Sequence, residues 1–377
     1  MEYFKKYRII DYDFMLTLMV IGLTIFGIVS VSSADPGYLK KHLIGFGTAL
    51  GLMIFISLLD YTFITSRFYI LIYLVNVLLL GLVMSPLGSN TNGAQRWINI
   101  GGFTFQPSEA AKILLILFYA QFIMKYKDKV KNFGFIVICL LLLGPPLGLI
   151  ALQPDLSTCI MIMVIFSVIV FVAGINWKIV AAVLGISIPA VLFVIYNAEQ
   201  GESSLLHAYQ QRRILAWLHP EDYANSEAYQ TLNSMMAIGS GQLYGKGYNT
   251  NEISSVLNSG FISESQTDFI YTVIGEEFGF VGACIVVALI LLISVRCFMI
   301  SMRARTVSGQ IIAAGVGGWI GFQGFLNMGV ATGVMPNTGI PLPFVSYGLT
   351  SLWCLYGGIG FVLNVRLQSN KYNVGRV

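Results

Sequence analysis

Charged residues are scarce in this sequence of 377 residues. They make up 11% of the chain, against roughly 25% in a typical soluble domain, while hydrophobic residues make up 56%. This composition excludes an ordinary soluble fold, and apolar runs recur from the start of the chain to its end. The sequence therefore predicts a single polytopic membrane domain over residues 1–377.

Cysteine and histidine are also few, with five and three residues respectively. All the cysteines fall within or at the ends of apolar stretches, with no paired spacing and no partnering histidines. They are Cys139, Cys159, Cys284, Cys297 and Cys354. This pattern supports neither a disulfide framework nor a zinc site. The net charge is +4, yet no basic tail and no interleaving of aromatic and basic residues indicates a nucleic-acid partner.

What the sequence has in abundance is apolar runs long enough to cross a bilayer, which takes about 20 mainly apolar residues. We predict an all-α integral membrane protein of about ten transmembrane helices. The predicted spans are 14–34, 43–59, 68–84, 109–124, 133–151, 156–173, 178–197, 278–300, 309–333 and 343–366. The first follows basic residues as a signal peptide would, but no small-residue cleavage pattern follows it, so we expect it to be retained. The two halves share no motif order, so the inverted repeats of many transporters are not evident.

Basic residues are unevenly distributed between the predicted loops. With a cytoplasmic N-terminus, 15 of the 22 Lys and Arg residues fall in inside segments, 6 fall outside, and Lys112 lies within the fourth span. This asymmetry follows the positive-inside rule. It predicts that both termini are cytoplasmic and that residues 198–277 form one large extracellular loop.

Ionisable residues stand at the starts of two predicted spans. Glu109 and Lys112 are three apart on one helical face and can pair. Their pair would either fix helix packing or line a polar cavity, because ionisable residues at membrane depth usually face a bundle interior or water. Asp155 precedes the sixth span, where capping alone would account for it and cavity lining is the alternative.

Charged and aromatic residues also gather in the predicted outer segments. Arg96 and Trp97 lie at the outer interface, where tryptophan is more often an anchor than a ligand contact. Arg212 and Arg213 stand among interfacial apolar residues and would contact lipid headgroups or a pyrophosphate. Asp268 directly precedes an apolar stretch, where it would act either as a helix cap or as a partly desolvated base.

Three prolines fall within eight residues between the last two spans, at Pro336, Pro341 and Pro343. They cannot continue a helix, so they predict a rigid outer hairpin that ends near Ser346 and dips back toward the bundle. A non-helical segment at that depth usually lines a cavity.

Taken in order, these motifs resemble the SEDS family (shape, elongation, division and sporulation), the polytopic peptidoglycan glycosyltransferases of the RodA and FtsW type. The resemblance covers nearly the whole chain, includes the Gly-Lys-Gly turn at 245–247 and the Glu276-Glu277 pair, and is closer to the RodA branch. Two positions depart from the family pattern. Ser157 stands where the family has the glycine after Pro-Asp-Leu, and Leu349 replaces the second glycine of Ser-Tyr-Gly-Gly.

The resemblance implies that lipid II is polymerised at the outer face of the bacterial cytoplasmic membrane, for cell-wall elongation and cell shape. It implies that Asp268 is the essential carboxylate, which we expect to act as general base on the acceptor sugar's 4-hydroxyl. The pyrophosphate leaving group needs cationic stabilisation. The candidate cations are Arg96, Lys112, Arg212 and Arg213, and a divalent ion such as Mg²⁺ or Mn²⁺ would share this role, although no carboxylate cluster fixes a metal site.

We expect the substrate to contact one set of polar and aromatic side chains. The set is Arg96, Trp97, Glu109, Lys112, Asp155, Arg212, Arg213 and Ser346. The resemblance also implies a class B penicillin-binding protein as partner, within the lipid membrane. Two other functions stay open: a lipid II flippase with a cavity lined by Glu109, Lys112 and Asp155, and a scaffold for other wall enzymes, in which Asp268 would be dispensable.

Overall fold

The structure is a computed structural model that describes residues 11–91, 94–100, 103–200, 208–249, 262 and 264–369. Within these residues the chain forms α-helices, a small β-sheet and two short 3-10 turns. The helices are α1 Phe14–Ala34, α2 Leu39–Leu58, α3 Tyr61–Val83, α4 Pro107–Lys125, α5 Phe133–Leu152, α6 Leu156–Val172, α7 Trp177–Glu199, α8 Ala208–Leu218, α9 Tyr229–Ser240, α10 Ile270–Arg303, α11 Val307–Ala331 and α12 Leu349–Ser369. The predicted helical, multi-pass membrane fold is confirmed.

A helix lies at each predicted span, namely α1 to α7 and α10 to α12. In the described residues, seven helices are long and apolar enough to cross a membrane, and α6 is a shorter apolar helix. The span count and the cytoplasmic termini stay predictions. Five basic residues used for that orientation, Lys5, Lys6, Arg8, Lys371 and Arg376, lie outside the described residues.

A three-stranded antiparallel sheet connects α3 to α4, in the order β1-β2-β3. The strands are β1 Gly88–Thr91, β2 Ala94–Ile100 and β3 Phe103–Phe105. Ser89 pairs with Trp97, and Ile98 pairs with Phe105. Apolar runs do not predict this sheet, because such short strands carry no transmembrane signal. The sheet positions Arg96, which lies in the middle of β2.

Helix α10 begins at Ile270 rather than at the predicted position 278. It continues across a kink at Gly279, whose φ of 64° and ψ of −163° are not helical. The kink frees the amides of Phe280 and Val281, which donate to the carbonyls of Gln242 and Leu243 at 2.8 and 3.2 Å. The predicted loop 198–277 therefore contains α8, α9 and the outer part of α10; residues 201–207, 250–261 and 263 of this loop lie outside the described residues.

Helix α11 lies at the centre of the bundle, packed against α10, α6, α4 and α12. Of the 18-residue apolar stretch of α11, 78% is buried inside the protein, whereas 17% of the corresponding stretch of α3 is buried. Helix α3 is therefore peripheral. A side chain at Gly317 would place its Cβ 2.9 Å from the Cβ of Cys297, so glycine there lets α11 approach α10 closely. Polar side chains on α11 are therefore held deep in the protein.

Candidate active site

The non-helical segment between α11 and α12, residues 333–346, is called here the proline-rich segment. Two amides of α11 hold it from inside the bundle. Gln323 Nε2 donates to the carbonyl of Pro341 at 2.9 Å, and Asn327 Nδ2 donates to that of Ile340 at 2.7 Å. Backbone groups at membrane depth need protein partners, and these two side chains supply them. The segment is thereby fixed as a shaped wall.

Asp268 lies against this wall. Asn327 Nδ2 also donates to the backbone carbonyl of Asp268 at 2.7 Å, and Ser346 Oγ donates to the carbonyl of Thr267 at 2.6 Å. A Cβ built on Gly339 would lie 3.3 Å from Asp268 Oδ2, so the carboxylate packs directly on that glycine. The φ of Gly339 is +65°, a conformation that glycine adopts without strain. The backbone of Asp268 is thus anchored by Asn327, and that of its neighbour Thr267 by Ser346, while the residue as a whole is half-buried.

The environment of Asp268 makes it a stronger base than an ordinary aspartate. Burial, and secondly the Glu264 carboxylate, raise its pKa to about 6, while Arg213 and Arg96 oppose the rise. The carboxylate is therefore mostly ionised at neutral pH, and its pKa lies close enough to neutrality for it to accept a proton readily. A shifted carboxyl beside two cations is typical of a catalytic site.

The two arginines come from separate elements. Arg96 of β2 donates from Nε to the carbonyl of Gln153 at 3.1 Å and from Nη2 to that of Pro154 at 2.5 Å, which fixes its guanidinium against the turn before α6. Arg213 of α8 donates to the carbonyl of Asn337 in the proline-rich segment at 3.2 Å. Both arginines therefore act electrostatically on the Asp268 carboxylate.

The buried pair of Glu109 and Lys112 lies inside the bundle instead. Their charged atoms are 2.6 Å apart, and their side chains are 5% and 2% exposed. Lys112 Nζ also donates to Gln323 Oε1 at 3.1 Å and lies 5.0 Å from the centre of the Trp319 ring. Since Gln323 holds Pro341, the geometry favours the packing alternative: the pair supports the proline-rich segment from within. In this conformation Lys112 does not reach a surface substrate.

Asp155 acts as the N-cap of α6. One carboxylate oxygen accepts from the amide of Thr158 at 3.2 Å, and the other accepts from the Thr158 hydroxyl at 2.8 Å. The capping alternative therefore describes this residue. Next to it, Ser157 Oγ donates to the carbonyl of Thr338 at 2.7 Å, so this departure from the family pattern adds a bond to the proline-rich segment.

The remaining predicted contacts differ in exposure. Ser346 is buried, and its hydroxyl bonds only backbone groups, those of Thr267 and Leu342, among its described contacts. Trp97 is half-buried in β2. Arg212 is an exposed side chain that lies 3.7 Å from Glu227. Of these three residues, Ser346 is the one tied directly to the segment that carries Asp268.

The second departure, Leu349, starts α12 and packs into the bundle. A Cβ at Gly45 of α2 would lie 2.3 Å from Leu349 Cδ2, so the leucine fills the space that this glycine leaves. Its bulk is therefore accommodated against α2.

Sequence reasoning missed Gln323 and Asn327, although both are almost fully buried and organise the site. An amide inside an apolar span is the signal that would have found them, since such residues usually bind something at membrane depth. In the described part of the chain, no group of three or more His, Cys, Asp or Glu residues is arranged to hold a metal ion. The participation of a divalent cation stays a prediction.

Comparison with known proteins identifies the family. The model of the cell cycle protein family FtsW/RodA/SpoVE matches residues 10–371. The peptidoglycan glycosyltransferase MrdB of Escherichia coli is 34% identical over 364 residues, covering 94% of this chain and 93% of its own. The probable peptidoglycan glycosyltransferase FtsW of Geobacter sulfurreducens is 34% identical over 373 residues, covering 94% and 95%. These equal identities leave the RodA branch a prediction.

Solved structures agree with this result. A chain of a peptidoglycan synthase complex that coordinates polymerization and crosslinking superposes with a TM-score of 0.79 at 29% identity, covering 96% of this chain and 99% of that one. The crystal structure of the rod shape determining protein RodA of Thermus thermophilus gives 0.68 at 28% identity, covering 96% and 98%. The match of the family model over nearly the whole chain shows that this protein belongs to the SEDS family of FtsW, RodA and SpoVE.

Proposed function

We propose that this chain polymerises lipid II into glycan strands at the outer face of the bacterial cytoplasmic membrane, in cell-wall elongation. Family membership makes it a peptidoglycan glycosyltransferase, the activity by which its curated relatives are named. The observation that carries the proposal is the Asp268 carboxylate, packed on the proline-rich segment with its pKa raised to about 6.

In this mechanism Asp268 removes the proton from the 4-hydroxyl of the acceptor sugar. The freed oxygen attacks the anomeric carbon of the donor chain, the bond from that carbon to the pyrophosphate breaks, and the lipid pyrophosphate leaves. A base whose pKa lies just below the working pH combines a high ionised fraction with useful basicity. Arg96 and Arg213 supply positive charge that stabilises the departing pyrophosphate electrostatically.

The flippase alternative needs a passage for a polar headgroup. In the described part of the bundle, the cavity lined by Lys112 has a volume of about 10 Å³. That is room for roughly one water molecule. Glu109 and Lys112 pair with each other, and Asp155 caps α6. Polymerisation is therefore the better supported function.

The decisive experiment reconstitutes the purified chain in lipid vesicles with lipid II and measures glycan polymer. We expect polymer from the wild type and none from Asp268→Ala, with equal insertion of both. Glu264→Gln is the matched control, because it removes a neighbouring carboxylate and should retain polymerisation at neutral pH. Polymer at the wild-type level from Asp268→Ala would refute the assignment. Movement of labelled lipid II across the vesicle membrane without polymer would favour the flippase.

A class B penicillin-binding protein is the partner we propose. The support is the similarity to a chain of a synthase complex that couples polymerization to crosslinking. Purified together, the two proteins should form one complex and give a higher polymerisation rate than this chain alone. Separate migration and an unchanged rate would argue against the partnership.

A further inference from the structure

A small pocket opens in the predicted outer loop where α8, α9 and the proline-rich segment meet. Its volume is about 50 Å³. Since one water molecule needs about 10–15 Å³ on this measure, the pocket takes about four water-sized groups. A sugar ring with its hydroxyls is too large for it. The size suits the charged end of one amino acid.

The walls of the pocket are held in place by hydrogen bonds. Trp217 Nε1 of α8 donates to the carbonyl of Gly333 at 3.2 Å, and Arg213 donates to that of Asn337 at 3.2 Å. Outside the lining, Ser234 Oγ of α9 donates to the carbonyl of Ala331 at 2.7 Å, which ties α9 to the end of α11. A ligand would therefore enter a largely preformed site, as most small-ligand sites are.

The lining combines opposite charges with apolar surface. Arg213 and Glu227 both line the pocket, together with Trp217, Met235 and Met335. The Glu227 side chain is 28% exposed and lies 3.7 Å from Arg212, so a ligand ammonium would share this carboxylate with Arg212. A ligand carboxylate matches Arg213, a ligand ammonium matches Glu227, and an aliphatic stem matches the methionines and tryptophan.

The pocket adjoins the catalytic carboxylate. Arg213 lines the pocket and also acts electrostatically on Asp268. Asn337, another lining residue, stands two positions before Gly339, on which the Asp268 carboxylate packs. A charged group bound here would therefore contact an arginine that also acts on Asp268.

We propose that this pocket binds the peptide arm of the lipid-linked substrate, through an amino-acid side group that carries both a free amine and a free carboxylate. The inference rests on the proposed function, in which lipid II is the substrate and carries this peptide arm. It predicts that the enzyme distinguishes substrates by the charge of their peptides, even when the sugars that it joins are identical.

The test measures polymerisation kinetics with two probes. One is lipid II whose peptide contains diaminopimelate, and the other is the same molecule with the diaminopimelate side-chain carboxylate amidated. For the wild type we expect a KM about tenfold higher for the amidated probe at similar kcat, since one charge-assisted hydrogen bond is lost. Equal KM values for the two probes would overturn the inference.

Two pocket variants locate the effect. Glu227→Gln removes the partner of the ligand ammonium, which both probes carry, so it should raise KM for both probes and keep their ratio. Thr231→Met fills the pocket from α9, so it should raise KM for the diaminopimelate probe and shrink the difference between probes. Glu221→Gln removes an exposed carboxylate of the same loop outside the pocket and should keep both wild-type KM values. If Glu227→Gln leaves both KM values unchanged and Thr231→Met keeps the ratio while the wild type polymerises, the pocket assignment is wrong and the proposed function stands. If the wild type polymerises neither probe, the proposed function itself fails.

Discussion

The acid side of the pH profile for polymerisation should follow the titration of Asp268. Its pKa of about 6 is raised above the ordinary value of 3.8 by burial and by Glu264. A general base acts only when ionised. About one tenth of the molecules would be competent at pH 5 and about nine tenths at pH 7, so kcat/KM should fall as pH decreases through 6.

Two single substitutions should move this acid limb in opposite directions. Glu264→Gln removes a negative charge that disfavours ionisation of Asp268, so the pKa falls and the limb moves to lower pH. Arg213→Gln removes a positive charge that favours ionisation, so the pKa and the limb rise. Each shift should be on the order of half a pH unit to one unit, the size expected when a single charge that acts on the carboxylate is removed.

The assay measures initial rates of lipid II polymerisation by the reconstituted protein, from about pH 4.5 to about pH 8.5. Arg213→Gln should also lower the plateau at high pH, since it removes positive charge from the leaving group, whereas Glu264→Gln should keep the plateau. Glu221→Gln, an exposed carboxylate on the same loop, is the control and should leave the limb in place. Shifts of Glu264→Gln and Arg213→Gln in the same direction would refute Asp268 as the titrating base.

Three further predictions concern stability, measured by thermal melting of the purified protein in detergent. Asp268→Asn should abolish polymerisation yet raise the free energy of unfolding by about 1–3 kcal/mol at neutral pH. The reason is that folding raises the pKa of Asp268 above its unfolded value, so the ionised carboxylate is unfavourable in the folded state. Melting at a lower temperature than the wild type would contradict this. Lys112→Met should lower the free energy of unfolding by about 3–5 kcal/mol, because it leaves the Glu109 carboxylate buried without its cation. Adding Glu109→Gln should restore part of that stability. If the two losses of stability simply add, the two residues are not coupled. Gly279→Ala should lower the free energy of unfolding by about 1–3 kcal/mol or more. Position 279 has a positive φ, and an added Cβ there would lie 2.3 Å from the amide nitrogen of Gly245. Melting at the wild-type temperature would show that the kink does not require glycine.

The helical membrane fold was predictable from local patterns. An apolar run of about 20 residues indicates a span wherever it occurs, and a helix was found at each of the ten positions. The boundary of α10 was wrong because Gly279 bends the helix and lets it continue outward, where the sequence turns polar around Glu276 and Glu277. The sheet that carries Arg96 was missed because strands of this length carry too little pattern.

The residues of the site were only partly recognisable. Asp268 stood out as a carboxylate at the lipid boundary, and its position in the ordered family motifs strengthened that interpretation. The alternatives for Glu109, Lys112 and Asp155 could not be separated from the sequence, because a cap, an ion pair and a cavity lining use the same residue types at the same spacing. Burial and hydrogen-bond partners, which exist only in the packed structure, favour the packing and capping alternatives, and substrate contact by these residues stays a prediction.

The sequence by itself therefore determined the membrane class and the approximate position of the helices, and its resemblance to the family singled out Asp268 as the candidate base. The tertiary structure alone decided what holds that base: Asn327 reaches the backbone of Asp268 across 59 positions, and Lys112 reaches Gln323 across 211. Membrane-spanning helices can be predicted from the sequence, because each one requires a continuous run of apolar residues. A single hydrogen bond between distant residues leaves no such pattern, because its geometry exists only after the helices have packed.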